Sequence, residues 1–245
     1  MSPPTLSHQI AAVLRDEILT GQYREGERLP SERELALRFE AHRGAVREAL
    51  KQLEQLGVAE IRPGGARVAP LDAANLDIIS HLMALDSPPS PVLIEQVLEA
   101  FRAVVAVAVR LSVERASESD LETLAEQIEA LASTALSREA LLRLEVGLSD
   151  QFIDLSQNLV LRLIRRSLAA RIAELIEVRG LRVRPPREEI TRRAKELCVA
   201  VRTREAATAA TLMEDGMAMI HGLILGQLRT EAPRDSPRAP VANRS

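Results

Sequence analysis

The chain has 245 residues, enough for one large domain or two ordinary ones. Hydrophobic residues make up 46% and charged residues 27%, which supplies a sizeable core and argues against wholesale disorder. A net charge of −3 excludes a generally basic nucleic-acid coat, and three Phe, one Tyr and no Trp leave no base-stacking platform for single strands, so nucleic-acid contact would fall to Arg and Lys on a duplex.

Cys198 is the lone cysteine, so no intrachain disulfide can form; it reads as a small core residue in a reducing cytoplasm. The opening MSPPTLSHQI has neither a basic nor an apolar signal region, and no secretory signal is expected. The most hydrophobic stretch, residues 92–113, carries Glu95, Glu99, Arg102 and Arg110, too many charges for a membrane span, and reads as a buried helix.

In chain order, Leu6, Ile10, Val13, Leu14 and Ile18 keep a helical period that Gly21 ends. Residues 22–30, with Gly26 and Pro30, read as a loop or short extended piece. Ser31 and Glu34 form an S-x-x-E capping box, so a second helix begins near Glu32 and buries Leu35, Ala36 and Phe39. After a break at residues 40–42, a third helix buries Val46, Leu50, Leu53 and Leu56 and stops at Gly57. Arg43, Arg47 and Lys51 recur every four residues at its border and outer face, a basic row suited to a phosphate backbone or groove. Residues 58–62 and 66–69 flank Pro63-Gly64-Gly65, a hairpin signal. Three helices and a hairpin is the order of a winged helix-turn-helix.

Beyond Pro70 the pattern loosens, and the Asp86 to Pro91 run marks a linker end and a helix start. From Val92 onward helix signals recur without a convincing strand. Ser119 with Glu122 predicts a second capping box, followed by Leu121, Leu124, Ile128 and Leu131 at helical spacing. Ser137 is placed to cap a helix through Leu141, Leu144 and Leu148 to Phe152. A helix over 159–178 ends at Gly180, and Arg184-Pro185-Pro186 breaks the chain before helices over 188–201 and 205–228. Residues 229–245, with Pro233, Pro237 and Pro240 and no apolar period, are expected to be disordered. The expected fold is therefore mostly α: a winged helix-turn-helix domain over 5–70, a linker over 71–91, an all-α helical bundle over 92–228, and the tail.

Residues 6–69 closely resemble the DNA-binding domain of the GntR family of bacterial transcription regulators, through GERLPSERELA, HRGAVREAL, KQLEQLG and the glycine-containing wing. The resemblance implies operator contacts from Arg33, Arg43 and Arg47. Arginine suits that work because its planar fork can donate twice to the guanine edge, at roughly 1–3 kcal/mol of discrimination per good pair. Gly44 and Ala45 would let the recognition helix approach DNA closely. Gly64 and Gly65 would do the same at the wing tip, or serve only to turn the hairpin. Lys51 is either a phosphate contact or merely solvated. One departure stands out: relatives commonly have a glycine, a small apolar residue and Ser or Thr before the first recognition arginine, where this chain has Glu40-Ala41-His42. His42 lacks the hydroxyl that caps the helix or touches phosphate, and a protonated imidazole is the alternative donor.

The all-helical second half resembles the FadR subfamily, through Arg102, the Asp150-Gln151-Phe152 region with Asn158, Ala200-Val201, Glu205, Ala209 and Met213. Many members hold a divalent metal with one Asp and three His. The matching positions here are Ser149, Ile153, Ala194 and Gly216, and the four His of the chain do not rebuild that set, so no metal and no cofactor are expected. Val104, Val105, Val107, Ile153, Leu197 and Val201 are candidates for lining an apolar interior, or are ordinary core. Arg102 is the candidate partner for a carboxylate or phosphate on an effector.

The resemblance implies a cytoplasmic, homodimeric regulator, a repressor, on a double-stranded inverted-repeat operator. A small-molecule effector, of apolar or acyl-carboxylate kind, would alter the spacing of two recognition helices, and no membrane partner is expected. The alternative is a sensor reduced to a dimerisation module, repressing without ligand. An enzymatic fusion to an aminotransferase-like, pyridoxal-phosphate domain needs a longer chain, and no nucleophile, paired acid and base, or phosphate-binding glycine loop follows Pro91.

Overall fold

Ile10, Leu14 and Ile18 are buried on one face of α1 (Leu6–Leu19), which Thr20 closes. The computed structural model describes residues 5–85, 90–132, 138–181, 183 and 185–231, with backbone alone for 138–146, 230 and 231. Helix α2 (Glu32–Arg38) starts at the expected capping box: the Ser31 amide donates to Glu34 Oε2 at 2.7 Å and the Glu34 amide to Ser31 Oγ at 3.3 Å. Its end is turned by Glu40, which takes φ 49, while the Ala41 amide donates back to the Ala36 carbonyl at 2.9 Å. Helix α3 (Arg43–Leu56) buries Val46, Ala49, Leu50 and Leu53, and Gly57 ends it in the left-handed conformation at φ 76. A Cβ at Gly57 would meet the Ala73 carbonyl oxygen at 2.5 Å, so both conformation and space demand glycine there.

Strands β1 (Ala59–Arg62) and β2 (Gly65–Val68) pair antiparallel, with Ala59 opposite Val68 and Arg62 opposite Gly65. Pro63 followed by positive-φ Gly64 has the composition of a type II turn. Residues 26–29 add a short third rung, since the Gly26 and Leu29 amides donate to the Val68 and Ala66 carbonyls at 3.0 and 2.9 Å, and the Val68 amide donates to Glu27 at 2.9 Å. The segment before Ser31 is therefore part of the wing sheet. A short 3-10 turn (Leu71–Ala73) and α4 (Ile78–Leu85) follow, with Ile78 buried in the same core as Ile10, Leu35 and Leu53. Residues 71–85 of the stretch read as linker are thus folded onto this core, and Ser90 and Pro91 begin α5 (Pro91–Arg115).

The chain divides into two compact units, Met1–Pro89 and Ser90–Ser245. In the second, α5 (Pro91–Arg115) packs against α7 (Arg138–Leu155), α8 (Leu159–Val178) and α10 (Ala206–Glu231). Helix α6 (Glu118–Leu131) packs against α7 and α9 (Arg187–Arg202), and α9 against α10. Val105, Val109, Leu124, Ile128, Leu148, Phe152, Leu197 and Val201 make the shared core.

The cap of α6 is Ser117, not the expected Ser119: Ser117 Oγ accepts the Asp120 amide at 3.1 Å, and Ser119 lies within the first turn. Glu122 is instead spent on Arg202, at 2.9 Å. Helix α8 is capped by Asn158, whose Oδ1 accepts the Leu161 amide at 3.1 Å. Helix α10 runs on to Glu231, three residues past its expected end at Leu228. The linker end at residues 86–89, the Ser137 cap, the side chains of Leu141 and Leu144, Arg184 of the expected break, and the tail from residue 232 lie outside the described residues.

Candidate nucleic-acid interface and interior cavity

The turn between α2 and α3 brings Arg33, His42 and Arg43 to the rim of one hollow, which Glu34, Ala36, Leu37 and Ala41 complete. Leu37 is 83% exposed there, an apolar side chain left open to solvent on a charged face. The His42 ring does what the absent hydroxyl would do: its Nδ1 accepts the Ala45 amide at 2.8 Å. An amide can only donate, so Nδ1 accepts in this bond, and the ring's remaining nitrogen, Nε2, is the one left to donate. A Cβ on Gly44 would sit 3.4 Å from that same Nδ1, an ordinary contact, so folding itself does not require glycine there.

Arg47, one turn further along α3, is held by Glu32 of α2 through Nε to Oε1 at 3.1 Å and a terminal nitrogen to Oε2 at 2.9 Å. The Arg47 hydrogen bond holds the Glu32 carboxyl below the usual carboxylate range, and the charges of Arg47 and Arg43 add to the effect. Lys51 pairs with Glu48 at 2.9 Å, both side chains more than half exposed. On the wing, Gly64 and Gly65 take φ 102 and 124, so turn geometry accounts for both. Gly64 has open space around it, whereas a Cβ on Gly65 would lie 3.0 Å from Arg28 Nε.

Sequence spacing alone missed Glu32 and Arg28. Neither has a local signal, because their partners lie fifteen and thirty-seven residues away and are brought close only by the fold. Arg38, next to this face, is structural: it pairs with Glu17 of α1 and stacks 4.8 Å over the Phe39 ring.

In the helical unit, a cavity is lined by Leu131, Leu148, Ser149, Ile190, Arg193, Ala194, Leu197, Leu212, Met213, Gly216, Met217, Met219 and Ile220. Three of the four positions that match the subfamily's metal ligands, Ser149, Ala194 and Gly216, meet at this cavity, while Ile153 is buried. One hydroxyl, two hydrocarbon side chains and a glycine offer no imidazole or carboxylate, so these residues do not fit a divalent metal. Of the expected lining residues only Leu197 faces the cavity. Val105 and Val201 are core, Ile153 is buried, Val107 is 39% exposed, and Val104 also lies off the wall. The apolar period of α5 served packing against its neighbours, and α9 and α10 supply most of the wall.

Arg102 is likewise not on the cavity wall. Its Nε is buried without a hydrogen-bond partner on α5. His221 of α10 is 6% exposed, its Nδ1 is also unpartnered, and its ring centroid lies 6.3 Å from that of Phe101. Burial first, and then the Arg102 charge, push the His221 pKa down to about 4.

Residues 6–68 match the family model of bacterial regulatory proteins, gntR family, and residues 96–218 match the FCD domain model. An uncharacterized HTH-type transcriptional regulator of Mycobacterium tuberculosis is 32% identical over 137 residues, covering 55% of this chain and 56% of that protein. The galactonate operon transcriptional repressor of Escherichia coli is 29% identical over 156 residues, covering 63% of this chain and 68% of that protein. The chain spans about half the length of its mycobacterial relatives. The solved structure of Lar, described as controlling the expression of the Listeria monocytogenes agr system, shares the fold at a TM-score of 0.51 and 16% identity, covering 93% of this chain and 100% of that one. These families and relatives are transcriptional regulators, not enzymes. With a gntR head followed by an FCD domain, the chain belongs to the gntR family of bacterial regulatory proteins.

Proposed function

We propose that the chain is a DNA-binding transcription regulator acting as a repressor, which binds an inverted-repeat operator as a homodimer. The observation that carries this reading is the convergence of Arg33, His42 and Arg43 on one exposed hollow, with Arg47 on the adjoining face of α3. Arg33, Arg43 and Arg47 read base edges, and Gly44 lets the helix lie close to the groove. His42 fixes the start of that helix. Lys51, Gly64 and Gly65 lie along the phosphates, with the wing approaching the minor groove. A two-fold dimer matches the symmetry of the operator. The site of action is the cytoplasm; among the described residues no helix is long and apolar enough to cross a membrane.

The test is binding of Arg43→Ala and Arg47→Ala to the DNA upstream of the chain's own gene. A loss of affinity and of sequence selectivity is expected, and undiminished, equally selective binding by both variants overturns the reading.

The helical domain, residues 92–228, is proposed to bind a small-molecule effector with an apolar body and a carboxylate, Arg102 taking the carboxylate. The apolar, methionine-rich wall of the cavity supports the apolar body. An effector shifts DNA affinity only by binding two arrangements of the dimer unequally. A second reading, constitutive repression by a domain that only dimerises, is favoured by Ser149, Ala194 and Gly216 standing where relatives ligate metal. Thermal shift against a metabolite panel separates the two, because a ligand at about 100 Kd adds about 2.7 kcal/mol of stability.

A further inference from the structure

The tip of the wing has no long side chain of its own to offer DNA, since Pro63, Gly64 and Gly65 make the turn. A residue from thirty-seven positions upstream fills the gap. A Cβ on Gly65 would meet Arg28 Nε at 3.0 Å, a terminal nitrogen at 3.3 Å and Cζ at 3.5 Å, so the guanidinium lies where a side chain at position 65 would stand. Resting on the reading that the wing approaches a minor groove, we propose that Arg28 is the wing's reading residue: its guanidinium enters that groove at the tip and favours A·T over G·C pairs there.

The fold fixes the backbone of Arg28 and leaves its charge available. Leu29 is buried and its amide donates to the Ala66 carbonyl at 2.9 Å, while Arg28 sits opposite Arg67 in an antiparallel bridge, so strand alternation turns the Arg28 side chain outward. The other wing arginines are spent. Arg62 pairs with Glu60, and Arg67 donates to the Gly26 carbonyl at 2.9 Å. No carboxylate pairs with Arg28 among the described residues. Glu34, the carboxylate on which its charge bears, already takes the Ser31 amide at 2.7 Å and lines the hollow of Arg33 and Arg43, so Arg28 stands on the side of the recognition residues. Glycine at position 65 has a second use here: without a Cβ, the guanidinium lies against the turn and the tip stays thin. A minor groove over A·T runs is narrow, concentrates negative potential and lacks the guanine 2-amino group, which suits a planar, weakly hydrated cation.

The experiment maps, by hydroxyl-radical footprinting, the minor-groove stretches that the full chain protects in the DNA upstream of its own gene, then rebuilds the base pairs there as A·T, G·C or inosine·C. Inosine·C keeps the major groove of G·C but lacks the 2-amino group in the minor groove. The wild-type chain is expected to bind the A·T and inosine·C duplexes alike and the G·C duplex about fivefold more weakly. Arg28→Gln, at an exposed position, is expected to weaken binding to the first two about fivefold and to hold all three alike, with an unchanged melting temperature. The proposal is overturned if Arg28→Gln keeps the wild-type preference, or if the wild-type chain has none. An equal loss on all three duplexes, with the slope of affinity against salt reduced by about one, makes Arg28 a phosphate contact and overturns the groove assignment. Arg43→Ala and Arg47→Ala are the control: if both bind as the wild-type chain does, the DNA reading itself fails, whatever Arg28 shows.

Discussion

Arg47 on the third helix is gripped from behind by Glu32 on the second, through two parallel hydrogen bonds of 3.1 and 2.9 Å. The guanidinium proposed to read a base edge is therefore already held by a carboxylate before any DNA arrives. Glu32 orients the fork and also opposes phosphate. Glu32→Gln is expected to strengthen binding to arbitrary duplex DNA and to narrow the ratio between operator and non-operator affinity, with little change in melting temperature because both side chains are well exposed. Because the carboxyl is held below its ordinary 4.5, its contribution is full above that value and is lost only as pH falls through the lower folded value. Gel-shift titrations at neutral pH on operator and scrambled duplexes check this, and an unchanged ratio would rule out the positioning role.

The His42 cap makes a second prediction. His42→Ala removes the acceptor for the Ala45 amide and is expected to cost about 1 kcal/mol of stability in urea unfolding, whereas His42→Ser restores a capping oxygen and should recover most of it. If alanine and serine unfold alike, the ring bond contributes nothing.

Backbone conformation gives a third, with opposite signs at two positions. Glu40 occupies φ 49, which a side chain adopts at a cost of about 1 kcal/mol, so Glu40→Gly is expected to be neutral or stabilising by up to that amount. Gly57→Ala places a methyl 2.5 Å from the Ala73 carbonyl oxygen at φ 76 and is expected to destabilise by roughly 1–3 kcal/mol. Paired thermal melts of the two variants check both signs.

His221 supplies a pH dependence. Burial lowers its pKa from 6.5 to about 4, so the unfolded chain takes up the proton first as pH falls. The stability tied to neutral His221 is complete above 6.5, is lost between 6.5 and about 4, and changes no further below that, by up to about 3 kcal/mol in all. His221→Phe should flatten that part of the stability profile. Parallel profiles for the two chains would refute the assignment.

The parts legible in the sequence were those fixed by neighbours in the chain. Ser31 and Glu34 announce the start of α2 because a capping box closes over three residues, and Pro63-Gly64 announces the wing turn for the same reason. At α6 two such frames overlap, Ser117 with Asp120 and Ser119 with Glu122. The choice falls to the end of α5, where Ala116 turns extended and puts Ser117 first. The Arg47 clamp and the cavity wall were illegible because they depend on which faces meet. The candidate valines of α5 read as pocket or core alike, and packing against α7, α8 and α10 buries Val105 in the core while leaving Val107 exposed.

The burial of Ile78 bears on how the head could be excised. A fragment ending at residue 70 would leave a socket in the head's core, beside α1, where that side chain sits. The open socket would invite self-association of the fragment through exposed hydrocarbon. Extending the fragment through Leu85 carries the plug along with it. The smallest soluble piece for operator studies is therefore set by the end of α4, seventeen residues beyond the last rung of the wing.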